Sequence, residues 1–182
     1  MLYHLNEDGK MGAIFSNGIL NSRRTEDRRI RAGILQDDIL EAIITLPAGM
    51  FYATKVSVSV WILKRHKEDI CRNKILFVDA RSFGKSEGGI TVLSEEELRE
   101  LTQAYEQYQK GIDGEQKNFC RQVSAAEVEA EDYSLAPDRY ILRQQKLPES
   151  EELKEQELRL ERKLEELLAQ NHDVLRQILK GL

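Results

Sequence analysis

Apolar residues in this chain come in short runs of strand length, separated by polar segments. In "MGAIFSNGIL" (11–20) an apolar run is closed by Ser16-Asn17-Gly18, a pattern typical of a buried strand that opens into a turn. "ILEAIITLP" (39–47) is continuously apolar and ends at a proline, a pattern that favours a strand covered on both faces. "VSVSVWILKR" (56–65) and "KILFVDAR" (74–81) predict two further strands.

A helix is predicted between the first two strands. In "NSRRTEDRRIRAGILQDD" (21–38), Ile30, Ile34 and Leu35 recur at helical spacing and would form an apolar face. The other faces carry arginines, namely Arg23, Arg24, Arg28, Arg29 and Arg31. A helix lying between strands predicts an α/β architecture.

The second and third strands are predicted to pair antiparallel. Only nine residues separate Leu46 from Val56, and that gap is too short for a helical crossover between parallel strands. The sequence therefore predicts a mixed sheet with an antiparallel edge pair. Few strands precede this pair, so the chain looks like the later part of a doubly wound sheet.

The character of the sequence changes after Ala80, where charged and glycine-containing segments replace the apolar runs. We divide the chain into a sheet domain (1–82), a loop-and-helix extension (83–147) and a helical C-terminal tail (148–182). In the extension, Ser94 followed by Glu97 forms a capping-box pattern that starts a helix.

The predicted apolar face of that helix consists of Leu98, Leu101, Tyr105 and Tyr108. A glycine-containing loop is predicted at 81–92 and a short helix from Ser124. Three residues are expected to anchor the following loop to the core: Tyr133, Leu135 and Tyr140.

The tail has the apolar spacing of a coiled coil. Its seam positions alternate in steps of four and three: Leu160, Leu164, Leu167, Asn171, Val174 and Ile178. A lone helix with that face in water is unstable, so the tail needs a partner. Pro148 and the polar segment after it favour another chain as that partner, and folding back on the same chain is the alternative.

Composition narrows the function classes. The chain has 182 residues, is 41% hydrophobic and carries a net charge of −5, so it can form a core but does not suit broad nonspecific binding to nucleic acid. Residues 1–65 nevertheless carry nine Lys and Arg against seven Asp and Glu, which leaves room for a local phosphate contact. No apolar run approaches the roughly 20 residues of a membrane span, and a cytoplasmic protein is expected.

The residues alone show no complete catalytic constellation and no metal site. His4, His66 and His172 are scattered, Cys71 and Cys120 are far apart, and neither set has metal-ligand spacing. No glycine-rich dinucleotide or phosphate fingerprint occurs, and "FGKSEGG" lacks the strand-to-helix context of a phosphate loop.

Two features could bind nucleic acid, and each has a plain structural alternative. The arginines of 23–31 could meet a phosphate backbone, although a solvated helix face is the preferred interpretation from the residues alone. In "MFYATKVSVSV" (50–60), Phe51 and Tyr52 stand before a strand, where they could either form a binding site or close one end of the sheet core.

The order of four blocks adds a family resemblance. "DGKMGAIFSNGIL", "RRIRAGILQDDILEAIITLPAGMFYATKVSVSVWILKR", "KILFVDAR" and "EDYSLAPDRYIL" resemble the methylation subunit of type I restriction-modification systems, over about 8–142. Those proteins are adenine-N6 DNA methyltransferases that use S-adenosylmethionine. The resemblance implies the C-terminal part of a doubly wound class I methyltransferase sheet, with residues 11–65 as its last three strands.

The resemblance also implies a target-base site. In the family, an aromatic residue after the penultimate strand stacks on an adenine flipped out of the duplex, and the matching residue is Phe51. Tyr52 would line the pocket, while Thr54 and Lys55 would approach the sugar-phosphate. Lys55 stands where the family more often has glycine. DNA-backbone contacts are expected from Arg23, Arg24 and Arg28.

The family's cofactor loop and its Asn-Pro-Pro-aromatic catalytic tetrapeptide have no counterpart here, since the prolines are Pro47, Pro137 and Pro148. The chain alone is therefore expected to bind no S-adenosylmethionine and to transfer no methyl group. By resemblance, its partners are DNA, a specificity subunit bound through 148–182, and a second modification subunit.

Two other functions fit the residues. The first is a non-enzymatic interaction module that presents its coiled-coil helix to a partner protein. The second is half of an unrelated dinucleotide-binding enzyme, although its glycine fingerprint is missing from this sequence.

Overall fold

The computed structural model describes residues 5–52, 54–112, 119–141 and Lys163. Its strands are β1 (Lys10–Ser16), β2 (Leu40–Thr45), β3 (Val58–Lys64), β4 (Lys74–Asp79), β5 (Lys85–Glu87), β6 (Ile90–Val92) and β7 (Cys120–Ser124). Its helices are α1 (Thr25–Gln36), α2 (Glu95–Gln109) and α3 (Ala125–Ala130), with 3₁₀ turns at Asn17–Ile19, Asp69–Cys71 and Pro137–Arg139. The predicted coiled-coil seam lies outside the described residues.

A five-stranded mixed sheet with the order β1-β3-β2-β4-β7 forms the centre of the fold. β3 lies antiparallel between β1 and β2, β4 runs parallel to β2, and β7 runs antiparallel to β4. The predicted mixed sheet and its antiparallel pair are confirmed, because β2 and β3 pair with Ile43 opposite Trp61. The predicted edge position of this pair is wrong, because β1 pairs with the other side of β3 and β4 with the other side of β2. Sequence patterning did not find β7.

Both faces of the sheet are covered along β2, as its continuous apolar run predicted. On one face, Ile43 and Phe77 pack with Leu35 of α1 and Leu135. On the other face, Ala42 packs with residues of α2. The two layers follow from the alternation of side chains along each strand.

β1 forms one edge of this sheet. In the described part of the chain its only strand neighbour is β3, and its successive side chains Ile14 and Phe15 are 57% and 37% exposed. Because successive side chains point to opposite faces, apolar surface is open on both sides of this edge. Phe15 still packs edge-to-face on Trp61, with ring centroids 5.2 Å apart.

The predicted apolar face of α1 is wrong at one position. Leu35 is buried and Ile34 packs against the core, but Ile30 is 60% exposed and Arg31 is 3% exposed. The reason is polar: the Arg31 guanidinium donates to three backbone carbonyls that lie beneath the helix.

These three acceptors belong to segments far from Arg31 in the chain. Nε donates to the Tyr133 carbonyl at 2.7 Å, and the terminal nitrogens donate to Ile19 at 3.0 Å and Ser22 at 2.9 Å. Burial lowers the pKa of Arg31. A charged side chain thus fills a position that helical periodicity assigns to an apolar one.

A buried carboxylate joins three elements on the other face of the sheet. Glu41 of β2 is fully buried and accepts a hydrogen bond from the Tyr105 hydroxyl of α2. Lys10 of β1 lies 3.7 Å from the same carboxylate oxygen and 4.7 Å from the centre of the Tyr105 ring. Burial and the hydrogen bond to Glu41 raise the pKa of Tyr105.

The extension confirms most of the predicted local signals. Ser94 with Glu97 and Ser124 with Glu127 both form complete capping boxes. The predicted anchors hold the last described segment, since Leu135 and Tyr140 are buried and Tyr133 packs against the core.

Two predictions for the extension are wrong. Leu98 is 48% exposed because the buried stripe of α2 runs through Leu101, Ala104 and Tyr108. The predicted loop at 81–92 contains strands β5 and β6, which pair as a hairpin. Among the described residues, none of the helices is both long enough and apolar enough to cross a membrane.

Candidate functional site

Three strands end at the same edge of the sheet, which we call the carboxyl edge. β1 and β2 both run antiparallel to β3, and β4 runs parallel to β2. Ser16, Thr45 and Asp79 therefore end their strands side by side. In open α/β sheets, ligands bind outside the carboxyl ends of the strands, so the loops that leave this edge are the first place to look for a site.

The loop between β2 and β3 (46–57), which we call the Phe51 loop, carries the predicted aromatic pair. It leaves the sheet through the buried Pro47 and turns at Gly49, whose φ of 79° favours glycine. At its tip the Thr54 N–H donates to the Phe51 carbonyl at 3.3 Å. The Thr54 hydroxyl then accepts from the Val56 N–H at 3.1 Å, so local hydrogen bonds shape the turn.

This turn holds both rings away from the core. Phe51 is 44% exposed and Tyr52 is 89% exposed, and neither belongs to a hydrophobic cluster formed by the described residues. Within the part of the chain that the structure describes, these rings therefore do not close the sheet core. Lys55 follows them and is also exposed, so two apolar faces and one cation lie together at the carboxyl edge.

The arginines of the sequence prediction divide into three groups. Arg23 and Arg24 are exposed in the loop between β1 and α1, which leaves the same edge of the sheet as the Phe51 loop. Arg28 is paired with Asp132 at 2.5 Å, and its guanidinium lies 5.1 Å from the centre of the Tyr133 ring. Arg31 is buried, so it is a structural residue and not part of a surface cluster.

The sequence analysis did not predict an ion cluster that lies at the end of β4. Asp79 is 5% exposed and binds the Arg81 guanidinium at 2.8 Å, while Arg81 also pairs with Asp138. The hydrogen bond from Arg81 to Asp79 raises the pKa of Arg81. The Thr45 hydroxyl lies 3.3 Å from Asp79, so the ends of β2 and β4 are tied together beneath the Phe51 loop.

The β5–β6 hairpin also contacts this loop and was missed. Thr91 of β6 bonds to the backbone of Ala48 and Gly49. One signal could have found the hairpin, because Gly88-Gly89 between two short runs is typical of a tight hairpin turn. Within the described ranges, no group of His, Cys, Asp and Glu is placed to hold a metal ion.

Comparison with known proteins gives a consistent family. A family model described as N-6 DNA Methylase matches residues 1–149. The chain is 28% identical over 144 residues to the type I restriction enzyme HindI methylase subunit of Haemophilus influenzae, covering 78% of this chain and 32% of that protein. It is 30% identical over 185 residues to the type I restriction enzyme MjaVII methylase subunit of Methanocaldococcus jannaschii, covering 97% and 31%.

The fold agrees with a solved structure of the same kind. The methyltransferase subunit of a type I restriction-modification system from Streptococcus thermophilus superposes with a TM-score of 0.69 at 25% identity, covering 78% of this chain and 28% of that chain. The chain thus spans about a third of the length of the relatives it matches.

Proposed function

Because the chain belongs to the N-6 DNA methylase family, we propose that it supplies the later sheet strands and the target-base loop of a type I modification subunit. The single observation that carries this proposal is the Phe51 loop, which holds an exposed ring at the carboxyl edge of the sheet. An enzyme that modifies a base inside a duplex must extrude it and hold it against an apolar face.

The proposed reaction of the whole enzyme is methyl transfer from S-adenosylmethionine to the adenine N6 atom of DNA. Phe51 would stack on the extruded base and Tyr52 would line the pocket. The Thr54 hydroxyl accepts from Val56 but keeps its own hydrogen, so it can still donate to a phosphate oxygen. Lys55 adds a positive charge beside it.

DNA-backbone contacts are proposed for Arg23 and Arg24, and a weaker contact is proposed for Arg28. The first two leave the carboxyl edge with exposed side chains, whereas the Arg28 guanidinium is engaged by Asp132 and the Tyr133 ring. A guanidinium already paired with a carboxylate loses that pairing when it binds phosphate, so its net contribution is smaller.

The described residues of the carboxyl edge do not fit S-adenosylmethionine. Doubly wound folds hold a nucleoside ribose with a carboxylate near a strand end, but Asp79, which ends β4, is buried and bound to Arg81. The sequence also has no adjacent prolines for an Asn-Pro-Pro-aromatic motif. We therefore assign no cofactor contact to this chain.

We expect no methyl transfer by the 182-residue chain alone, because the groups that would bind the cofactor and the adenine amino group are not in its sequence. The measurement is incorporation of label from S-adenosylmethionine into unmethylated duplex DNA. A complete type I methylase assayed beside it is the positive control. Incorporation above background by the chain alone would contradict the expectation.

Further parts of the methyltransferase are proposed to join at β1. Its outer edge exposes Ile14 and Phe15 on opposite faces and has no strand neighbour among the described residues. An edge with apolar faces suits a further strand. A specificity subunit bound through 148–182 and a second modification subunit are the proposed protein partners. Apart from Lys163, the tail lies outside the described residues, so its proposed role comes from its heptad spacing and the family resemblance.

Replacing Phe51 tests the target-base role. We expect Phe51→Ala to weaken binding of a single-stranded oligonucleotide containing 2-aminopurine by about 5- to 150-fold, because one base–aromatic stack contributes about 1–3 kcal/mol. Binding is followed by 2-aminopurine fluorescence during titration with the 182-residue chain.

Two variants serve as controls for that measurement. Phe51→Tyr keeps the ring and should keep the affinity. Ile30→Ala removes another exposed apolar side chain, 60% exposed on α1, and should change nothing. Equal affinities for Phe51→Ala and the original chain would remove the target-base assignment from this loop.

A further inference from the structure

The β5–β6 hairpin contacts the Phe51 loop through Thr91. The Thr91 N–H donates to the Gly49 carbonyl at 2.8 Å, and the Thr91 hydroxyl donates to the Ala48 carbonyl at 2.7 Å. A Cβ atom on Gly49 would lie 3.2 Å from the Thr91 hydroxyl oxygen. The backbone of the loop therefore rests directly on β6.

The geometry of the hairpin leaves Thr91 available for this contact. In an antiparallel ribbon, residues alternate between pairs that exchange hydrogen bonds and pairs that do not. Thr91 stands opposite Ser86 of β5, but the Thr91 N–H bonds to the Gly49 carbonyl. The backbone N–H of Thr91 therefore points away from β5. The loop thus takes the place of a third strand along the outer edge of the hairpin.

One carboxylate fixes both ends of the hairpin to α2. Glu97 accepts from the Gly84 N–H before β5 at 2.7 Å and from the Ser94 N–H after β6 at 2.7 Å. These backbone hydrogen bonds lower the pKa of Glu97. Next to these hydrogen bonds, the Phe83 ring stacks on Phe119 with centroids 5.2 Å apart. Both ends of the hairpin are therefore fixed to the rest of the fold.

The loop needs such a support because its own bonds are weak. The Thr54–Phe51 bond is 3.3 Å long and the Val56–Thr54 bond lies at an exposed site, where water competes for the same groups. A misplacement of about 1 Å at a reacting centre lowers a rate by as much as about 100-fold. The position of the Phe51 ring therefore depends on contacts outside the loop.

We propose that the β5–β6 hairpin acts as a clamp that fixes the Phe51 loop, with Thr91 as the positioning residue. This inference rests on the proposed target-base function of Phe51 for its consequence, but the clamp itself concerns only this chain's own loop. Thr91 would not touch the base; it would act through the backbone of Ala48 and Gly49.

The test compares Thr91→Val with Thr91→Ser in the full 182-residue chain. Valine keeps the shape but removes the hydroxyl donor, whereas serine keeps the donor. Amide hydrogen exchange of Thr54 and Val56 reports the order of the loop, and amides of β3 report global stability. Titration with the 2-aminopurine oligonucleotide reports base binding.

We expect Thr91→Val to speed exchange of the Thr54 and Val56 amides by about 2- to 10-fold, the loss of one ordinary hydrogen bond, and to weaken oligonucleotide binding by a similar factor. Exchange in β3 should stay unchanged, and Thr91→Ser should restore both loop readouts. The matched control is Thr102→Val, which removes a hydroxyl bond to the Leu98 carbonyl on α2 and should leave the loop as it is.

Each outcome decides one of the two proposals. Unchanged loop exchange in Thr91→Val overturns the clamp, whatever the oligonucleotide does. Faster loop exchange with unchanged affinity also overturns it, provided that Phe51→Ala does weaken binding. If Phe51→Ala leaves affinity unchanged, the target-base function fails, and the exchange rates alone support or overturn the clamp.

Discussion

Replacing Arg31 with alanine should destabilise the chain by about 3–5 kcal/mol, because three acceptors lose their donor and each unsatisfied acceptor costs about 1–3 kcal/mol. The guanidinium of Arg31 donates to the carbonyls of Ile19, Ser22 and Tyr133. Without it, three partly buried acceptors lose this donor, and the packing of α1 against the segment after α3 loses its polar contacts. Urea unfolding followed by circular dichroism measures the change.

Neighbouring variants separate this effect from a general loss of helix charge. Arg29→Ala changes an exposed residue of the same helix and should alter stability by no more than about 0.5 kcal/mol. Arg31→Lys keeps the charge but cannot reach three carbonyls in a fixed fork, so its loss should be intermediate. A loss below about 1 kcal/mol for Arg31→Ala would show that the carbonyls find other donors, at variance with the assigned role.

Replacing Tyr105 with phenylalanine should cost about 2–4 kcal/mol, because it removes a hydrogen-bond donor from a fully buried carboxylate. Among the described residues, Glu41 then keeps the ion pair with Lys10, which is 3.7 Å away and partly in solvent. The variant preserves the ring that packs on Tyr108, whose centroid lies 6.4 Å away, so the hydroxyl is what the measurement tests. Equilibrium unfolding at neutral pH gives the value.

A second tyrosine provides the matched control. Tyr133 also donates to a glutamate, Glu129 at 2.8 Å, but at an exposed site, so Tyr133→Phe should change stability by about 0.5 kcal/mol or less. The double variant Glu41→Leu with Tyr105→Phe should recover much of the loss, since apolar residues can replace a buried polar pair. Additive losses in the double variant would contradict the coupling of Glu41 and Tyr105.

The two faces of the sheet thus differ in how they are held, and both bear on the site. Arg31 secures α1, which follows the loop of Arg23 and Arg24, and Glu41 joins β1 and β2 to α2. Glu97 of α2 in turn holds the β5–β6 hairpin, and the hairpin contacts the Phe51 loop through Thr91. The carboxyl edge is therefore supported by groups that lie outside its own loops.

The family could be inferred from the sequence, and the match of the N-6 DNA methylase model to residues 1–149 confirms it. The order of four blocks carried that inference, although each block alone is weak. The roles of Phe51, Tyr52, Thr54 and Lys55 stay predictions, because the exposure of the two rings is compatible with base stacking but does not test it.

Some elements had too little sequence signal to be found. β5 reads Lys-Ser-Glu and is exposed along its whole length, so no apolar alternation marks it as a strand. In β7 the two buried residues, Cys120 and Val123, are three positions apart and pack in opposite layers of the core. Polar Arg121 and Gln122 lie between them, so no apolar alternation marks this strand. Such strands form because neighbouring backbone groups need partners, a requirement that hydrophobic patterning does not record.

The sequence by itself determined the elements whose cause is local. Apolar runs defined β2, β3 and β4, the short connection from Leu46 to Val56 required an antiparallel pair, and serine with glutamate three residues later marked the starts of α2 and α3. These signals act within a few residues, so they can be read along the chain.

Only the tertiary structure decided what lies around the Phe51 loop. Thr91 is 43 residues from Ala48, and Arg31 is 102 residues from Tyr133, so neither partner is visible in a local pattern. Folding brings these distant carbonyls to donors that periodicity assigned to a loop or to solvent. Such contacts form because backbone carbonyls are strong hydrogen-bond acceptors and take a donor from wherever the fold places one.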